Sequence, residues 1–253
     1  MSGDSHDIVI VGGGMVGASL ACALAAGGRP ARVALVEGFP LLDRTGPAVY
    51  QPSFDARSTA LSLSSARFLA RLGLWEDVRR HAQPIRRIHV SDRGRFGSTA
   101  MDAAEEGLEA LGYVVENQWL GNVLHDGLRA CANLTLLAPA RVDAVRRRAD
   151  RVIVRAKLAH GDEERELDAG LAVIADGARS GLAAALGIVA QQQDYGQQAL
   201  IANVAHSSRT AERAPSAPTT SAASTEAPEP RPSRCRASSA AACCHSRRRA
   251  ISG

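Results

Sequence analysis

The feature that most constrains the fold is a glycine-rich turn near the amino terminus, set between an apolar run and an alanine-rich segment. Residues 7–11 read DIVIV, which is typical of a strand that is covered on both faces. The turn GGGMVG follows at once, and residues 15–26 have the composition of a helix that ends at a Gly-Gly pair. Residues 32–37 then predict a second strand that closes with an acid.

Each glycine of this G-x-G-x-x-G turn has a task in dinucleotide binding. Gly12 permits the tight turn, Gly14 lets a pyrophosphate approach the backbone, and Gly17 lets helix and strand pack closely. The phosphates would then lie at the positive amino-terminal end of the helix. The candidate cofactor-binding residues at this turn are therefore Gly12, Gly14, Met15, Val16 and Gly17.

An acid at the end of the second strand completes the pattern. Glu37 follows Gly17 at the distance of about 20 residues where a carboxylate accepts hydrogen bonds from an adenosine ribose. An acid there favours FAD or NAD and disfavours a ribose 2′-phosphate. A glycine-rich turn that binds no ligand is the alternative.

A later segment could reach the same site. Residues 54–61 read FDARSTAL and overlap a predicted helix over residues 59–72, for which Asp55 and Ser58 are candidate caps. Arg57 would lie at the mouth of the site, where it could contact a phosphate or a ring edge. A surface arginine without a ligand is equally compatible with the sequence.

A third buried strand is predicted over residues 171–175, and Asp176 and Gly177 follow it. Because open α/β sheets bind ligands beyond the carboxyl ends of their strands, these two residues are candidates for the same cofactor. The alternative is a plain helix cap, with an Asp or a Ser preceding Gly181.

The predicted fold class is α/β, a Rossmann-like domain whose parallel sheet is built from residues 7–11, 33–37 and 171–176. Apolar spacing predicts a helix over residues 120–132. Residues 143–168 read as an antiparallel meander, with a strand over residues 151–158 and a turn at residues 160–162.

Two polar features of the middle of the chain favour structural roles. His89 alternates with apolar neighbours in the segment RRIHVSDRG, where a catalytic base is the less favoured interpretation and a histidine that only packs or hydrogen-bonds is the more favoured one. Asp92 and Arg93 would make a turn before Gly94. The three arginines at residues 146–148 are typical of a solvated strand end, because no aromatic platform for nucleic acid accompanies them.

Composition excludes several classes of function. The formal net charge is +4, but residues 206–253 contain eight Arg and three Glu, so the preceding residues are nearly neutral and no nucleic-acid partner is expected. The five cysteines form no C-x-x-C pair, so no metal site is expected. The absence of a signal-type segment and of a run of about 18 apolar residues makes a cytoplasmic location the expectation.

Several segments taken together resemble one enzyme family. They read IVIVGGGMVGASLACALA, VALVE, FDARSTALS, LGLWEDV, PIRRIHVSDRGRFG, ALGYVVEN and VIADGARS. These segments are similar to the flavin-dependent aromatic hydroxylases, and within them to the ubiquinone-biosynthesis branch, the 2-polyprenyl-6-methoxyphenol hydroxylases. The likeness extends over residues 5–205.

The resemblance implies FAD as the cofactor and NAD(P)H as the co-substrate. It places Arg57 near the flavin, and Asp176 and Gly177 in a second cofactor motif. Many flavin hydroxylases have arginine where this chain has Ala183, which weakens the inference about nicotinamide binding.

The resemblance also implies the reaction and its setting. O₂ would be activated at the reduced flavin and one oxygen atom would be transferred to a prenylated phenol, so that neither a metal nor a catalytic side chain is needed. Because that substrate resides in a membrane, the expected location is cytoplasmic with peripheral association at the inner membrane, and other ubiquinone-biosynthesis proteins are candidate partners.

The family further implies two domains that are interleaved along the chain. We expect a discontinuous FAD-binding domain over residues 1–84 and 106–188, and a partial substrate domain over residues 85–105 and 189–205. Residues 206–253 have too few apolar side chains to offset chain entropy, so they are expected to be disordered.

Hydrophobic patterning stops abruptly after Val204. The expectation is therefore that residues 206–253 are a frameshifted sequence and that this chain is a C-terminally truncated, inactive hydroxylase. A genuine low-complexity tail is the alternative. A non-catalytic FAD-binding fragment and an FAD-dependent reductase on the same scaffold remain alternative functions.

Overall fold

A computed structural model describes most of the first 200 residues of the chain. The described residues are 4–27, 31–46, 49–91, 96–159, 163–178, 180–189, 191–194, 196, 201–202 and 241–242. They divide between two compact units, one within residues 1–83 and 114–189 and the other within residues 84–113 and 190–253. The domain boundaries expected from the family resemblance stay a prediction.

The described elements alternate between strands and helices. In chain order they are β1 (Asp4–Val11), α1 (Met15–Ala26), β2 (Val33–Val36), β3 (Ser58–Ser62), α2 (Leu63–Arg71), α3 (Trp75–Arg79), β4 (Gln83–Ile85), β5 (Arg87–Ser91), β6 (Ser98–Asp102), β7 (Gly112–Glu116), α4 (Asn117–Ala130), β8 (Leu134–Leu137), β9 (Ala140–Arg148), β10 (Arg151–Leu158), β11 (Glu164–Ile174), α5 (Gly181–Ala185), β12 (Ile201–Ala202) and β13 (Ala241–Ala242). None of the described helices is long and apolar enough to cross a membrane.

The first unit is built on a six-stranded sheet with the order β8-β2-β1-β11-β10-β9. β1 runs parallel to β2 and to β11, and β2 runs parallel to β8. β10 is antiparallel to both β9 and β11. The predicted parallel sheet and the predicted antiparallel meander are therefore both confirmed.

β11 joins the parallel part of this sheet to its antiparallel part. Its first part pairs with β10, beginning with Glu164 opposite Lys157, and its last part pairs with β1, ending with Ile174 opposite Val11. The sequence predicts a meander that ends at residue 168 and a separate strand over residues 171–175, and that division is wrong. Backbone pairing with β10 holds the polar, exposed start of the strand in place, so no apolar side chains are required there. The predicted turn at residues 160–162 lies outside the described residues.

Apolar side chains cover both faces of the sheet, which explains the continuous apolar runs of β1 and β2. One cluster includes Ile10 and Leu35 from the strands, Ala18 and Ala21 from α1, and Leu124 from α4. The other cluster includes Val9, Val36, Val154 and Leu167. Small residues on α1 let this helix lie close to both the sheet and α4.

α2 begins later than the sequence predicts. Ser62 caps this helix, because its side chain accepts a hydrogen bond from the Ser65 amide at 3.2 Å. Neither Asp55 nor Ser58 is the cap, and the residues before Ser62 form β3 instead. α4 likewise begins at Asn117, three residues before the predicted start.

In the second unit, β5 and β6 form an antiparallel hairpin that pairs Arg87 with Asp102. The Arg87 guanidinium donates to the Asp102 carboxylate at 2.8 Å, which lowers the pKa of Asp102. His89 lies opposite Ala100 in this hairpin and is exposed. The predicted turn at residues 92–94 lies outside the described residues. So does the tail over residues 206–253, apart from β13, which pairs with β12.

Candidate cofactor-binding site

A cleft of about 1110 Å³ opens in the first unit at the carboxyl ends of β1, β2 and β11. The turns that follow these strands line it, together with the start of α5 and part of β9. Among the residues that the sequence singles out, those that line the cleft are Gly12, Gly14, Met15, Val16, Glu37, Arg57, Asp176 and Gly177. Gly17 is buried at the first turn of α1.

The glycine turn between β1 and α1 cannot accommodate side chains at two of its positions. Gly12 has a φ of +104°, and a Cβ there would lie 2.5 Å from the carbonyl oxygen of Ala175, the residue that follows β11. A Cβ on Gly17 would overlap the carbonyl oxygen of Gly12. The close approach of the turn to the residues after β11 therefore depends on Gly12, and the close approach of α1 to β1 and the turn depends on Gly17.

The start of α1 is open toward the cleft. Gly14 precedes the helix in an extended conformation, and no side chain caps the helix start. Met15 and Val16 lie in the first turn and line the cleft. The first N–H groups of a helix have no partner within the helix and carry the positive end of its dipole. The cleft therefore presents donors and positive potential that suit an anionic group.

Glu37 is 6% exposed and its carboxylate binds the backbone of the neighbouring turns. Oε2 accepts a hydrogen bond from the Gly13 amide at 2.5 Å, and Oε1 accepts from the Phe39 amide at 2.9 Å. The Gln51 side chain donates to Oε1 at 3.3 Å. A carboxylate has about four acceptor positions, so one position remains for a further donor from the cleft.

Three buried polar residues of this region, Gln51, Asn117 and His125, are absent from the sequence-based prediction. Gln51 is 4% exposed, and in addition to its bond with Glu37 it accepts from the Ser53 amide at 3.3 Å. His125, on α4, is 0% exposed and lies beneath the glycine turn. Nothing in the loop sequence marks Gln51, whereas His125 could have been noticed as a polar residue at helical spacing among apolar ones.

A chain of hydrogen bonds fixes the position of the Arg57 side chain. Its Nε donates to Asp55 Oδ2 at 2.5 Å, while Asp55 Oδ1 accepts from Asn117 Nδ2 at 3.2 Å. Thr59 donates in turn to Asn117 Oδ1 at 2.5 Å. Burial tends to raise the pKa of Asp55, but the hydrogen bonds from Arg57 and Asn117 outweigh it and lower that pKa. The Arg57 side chain is 58% exposed, so its charge is available at the mouth of the cleft.

The turn after β11 forms the third wall of the cleft. Asp176 is exposed and Gly177 has a φ of +96°, with open space around it. Of the two candidate helix caps, Ser180 is the one that caps α5, because its Oγ accepts from the Ala183 amide at 2.9 Å. Asp176 takes no part in that cap and lines the cleft instead.

The chain also resembles curated proteins of known role. It is 38% identical over 202 residues to the ubiquinone hydroxylase UbiL of Rhodospirillum rubrum, covering 79% of this chain and 44% of the relative. It is 33% identical over 209 residues to the 3-demethoxyubiquinol 3-hydroxylase of Escherichia coli, covering 81% of this chain and 49% of that protein. The chain therefore spans about half the length of these relatives.

Solved structures share the fold at lower identity. The p-nitrophenol 4-monooxygenase PnpA of Pseudomonas putida has a TM-score of 0.62 and 23% identity, over 78% of this chain and 47% of PnpA. The flavin-dependent monooxygenase PieE, solved with FAD and substrate, has a TM-score of 0.57 and 19% identity, over 79% of this chain and 33% of PieE. The family model for the FAD binding domain matches residues 5–241, and this chain belongs to that family.

Proposed function

We propose that the cleft binds FAD, with the pyrophosphate at the start of α1 and the adenosine ribose at Glu37. The observation that carries this proposal is the uncapped start of α1, which lines the same cleft as a buried carboxylate with one free acceptor position. Gly12, Gly14, Met15, Val16 and Gly17 form the turn that receives the phosphates, and a Cβ at Gly14 would meet the Ser53 side chain at 3.0 Å.

The other walls of the cleft would serve the flavin side of the cofactor. Arg57 offers a positive charge, and its hydrogen bond to Asp55 fixes the position of the side chain. Asp176 and Gly177 follow β11 and line the cleft. The positive φ of Gly177 turns the backbone without placing a side chain in the cleft. These residues bind and orient the cofactor, and no side chain of this chain is required as a nucleophile or a base.

We further propose that the chain is the FAD-binding part of a monooxygenase that hydroxylates a prenylated methoxyphenol in ubiquinone biosynthesis. The relatives that support this carry the names ubiquinone hydroxylase and 3-demethoxyubiquinol 3-hydroxylase. Bound FAD supplies the redox chemistry, with NAD(P)H as reductant and O₂ as oxidant. Because such a substrate is held in a bilayer, the protein would work in the cytoplasm at the inner membrane surface, with other ubiquinone-biosynthesis proteins as neighbours.

The test separates cofactor binding from turnover. The purified chain is titrated with FAD while flavin fluorescence is followed, and NAD(P)H oxidation and phenol hydroxylation are then measured under air. Saturable FAD binding supports the cofactor assignment, and hydroxylated product supports the monooxygenase assignment. FAD binding without product would indicate that the chain is a non-catalytic cofactor-binding fragment. FAD reduction by NAD(P)H without O₂-dependent product would indicate a reductase. No FAD binding would contradict the whole proposal.

A further inference from the structure

The imidazole of His125 connects two backbone segments that border the cleft. Its Nδ1 accepts a hydrogen bond from the Leu42 amide at 2.8 Å, and its Nε2 lies 3.1 Å from the carbonyl oxygen of Gly13. The ring is 0% exposed and lies perpendicular to the Phe54 ring at a centroid distance of 5.1 Å. No water can replace either bond without opening this packing.

These two bonds determine the tautomer of the ring. The Leu42 amide can only donate, so Nδ1 must carry a lone pair and the ring proton lies on Nε2. Nε2 therefore donates to the Gly13 carbonyl oxygen. A neutral ring satisfies both neighbours, whereas a protonated ring would place a second N–H against the Leu42 amide.

The bond to Gly13 has a geometric consequence for the cofactor turn. In a planar trans peptide the C=O and the following N–H point in opposite directions. The Gly13 carbonyl points into the protein toward His125, so the Gly14 N–H points away from His125, and Gly14 lines the cleft. The peptide group before Gly13 is fixed as well, because the Gly13 amide donates to the Glu37 carboxylate.

We propose that His125 is a positioning residue for the cofactor turn, which fixes the Gly13–Gly14 peptide so that the Gly14 N–H is presented to a phosphate in the cleft. This inference rests on the proposed binding of FAD. His125 itself does not line the cleft, so it acts through the backbone rather than by touching the cofactor.

Protonation of His125 would release this turn. Burial lowers the pKa of His125, and the positive charge of Arg129 lowers it further. The hydrogen bond with Gly13 and the negative charges of Glu37 and Asp126 act in the opposite direction but are outweighed. The folded protein therefore favours the neutral ring. The unfolded chain takes up the proton first as pH falls below about 6.5, so the stability that the neutral ring contributes is full above that pH and declines below it. FAD affinity declines only at the lower pH at which the ring of the folded protein takes up its proton.

Two substitutions separate the two bonds. In His125→Asn the amide oxygen can take the place of Nδ1 toward Leu42, but the donor to Gly13 is lost. In His125→Gln the amide nitrogen can take the place of Nε2, but the acceptor for Leu42 is lost. His6 gives the matched control because it is also buried and hydrogen-bonded, at the opposite end of β1 from the glycine turn.

We expect His125→Asn to weaken FAD binding about tenfold, the factor that one buried hydrogen bond supplies. His125→Gln should retain most of the affinity, and His6→Gln should retain all of it. Amide hydrogen exchange, measured by mass spectrometry, should quicken in the peptide that contains Gly13 and Gly14 in His125→Asn, and around Leu42 in His125→Gln.

The exchange measurement keeps this inference distinct from the binding of FAD. If the unmodified chain binds no FAD, the proposed function fails, while the exchange pattern still tests the role of His125. Equal exchange in both variants, or equal FAD affinity in His125→Asn and the unmodified chain, would overturn the inference. Should the variants fail to fold, faster exchange of the glycine turn below pH 6.5 in the unmodified chain supports it, and unchanged exchange, corrected for intrinsic rates, refutes it.

Discussion

At the scale of single residues, Glu37 combines a structural contact with a proposed ligand contact. Its carboxylate accepts from the Gly13 and Phe39 amides and from the Gln51 side chain, and has one acceptor position left. Glu37→Ala should therefore weaken FAD binding by about 1–3 kcal/mol, because a charge-assisted hydrogen bond to the ribose and the support of the turn are both lost. A flavin fluorescence titration at fixed ionic strength measures this change.

Two controls belong to the Glu37 experiment. Glu37→Gln keeps an acceptor without the charge, so its affinity should lie between those of the unmodified chain and Glu37→Ala. Glu76→Ala removes an exposed acid from α3 and should leave the affinity unchanged. If Glu37→Ala bound FAD as tightly as Glu76→Ala, the acid would serve only to end β2.

At the scale of elements, the start of α2 offers a direct comparison between the sequence and the structure. Ser62 accepts from the Ser65 amide, whereas Ser58 lies exposed in β3. Ser62→Ala should lower the free energy of unfolding by about 1 kcal/mol, because a helix-start amide loses its partner. Ser58→Ala should change it by less than about 0.5 kcal/mol. Urea unfolding followed by circular dichroism measures both, and equal losses would contradict the structural cap.

The elements that the sequence predicts well are those whose signal is local. β1, α1 and β2 follow from an apolar run, an alanine-rich segment between glycines and a second apolar run. The predicted start of α2 is wrong. Thr59 and its neighbours have a helical composition, yet the Thr59 hydroxyl donates a hydrogen bond to Asn117 on α4. His125 and Gln51 are missed for a related reason, since their contacts with the cofactor turn and with Glu37 join residues that are distant in sequence.

At the scale of the whole molecule, binding of FAD should be visible as added stability. A ligand that binds only the folded state adds about 2.7 kcal/mol when its free concentration is 100 times its dissociation constant. The melting temperature of the chain should therefore rise with FAD concentration. Differential scanning calorimetry on the chain with and without FAD measures this shift.

AMP and riboflavin serve as controls for the calorimetric experiment. Each carries part of the cofactor, so each should raise the melting temperature less than FAD at equal concentration. A melting temperature that FAD leaves unchanged, at concentrations that saturate the fluorescence titration, would indicate that FAD binds the folded and the unfolded chain equally. An equal effect of AMP would indicate that the flavin side of the cleft contributes nothing.

The pairing of β1 with β11 also bears on the order in which the protein is made and folds. Val11 lies beside Ile174, so the two strands come from opposite ends of the first unit. A contact between residues so far apart in sequence carries a greater loop-closure cost than a local contact, so we expect it to form late. During synthesis the glycine turn leaves the ribosome long before β11 and the residues that follow it, Ala175 and Asp176, which line the cleft. A nascent chain therefore has no complete site for a dinucleotide until nearly the whole first unit has emerged.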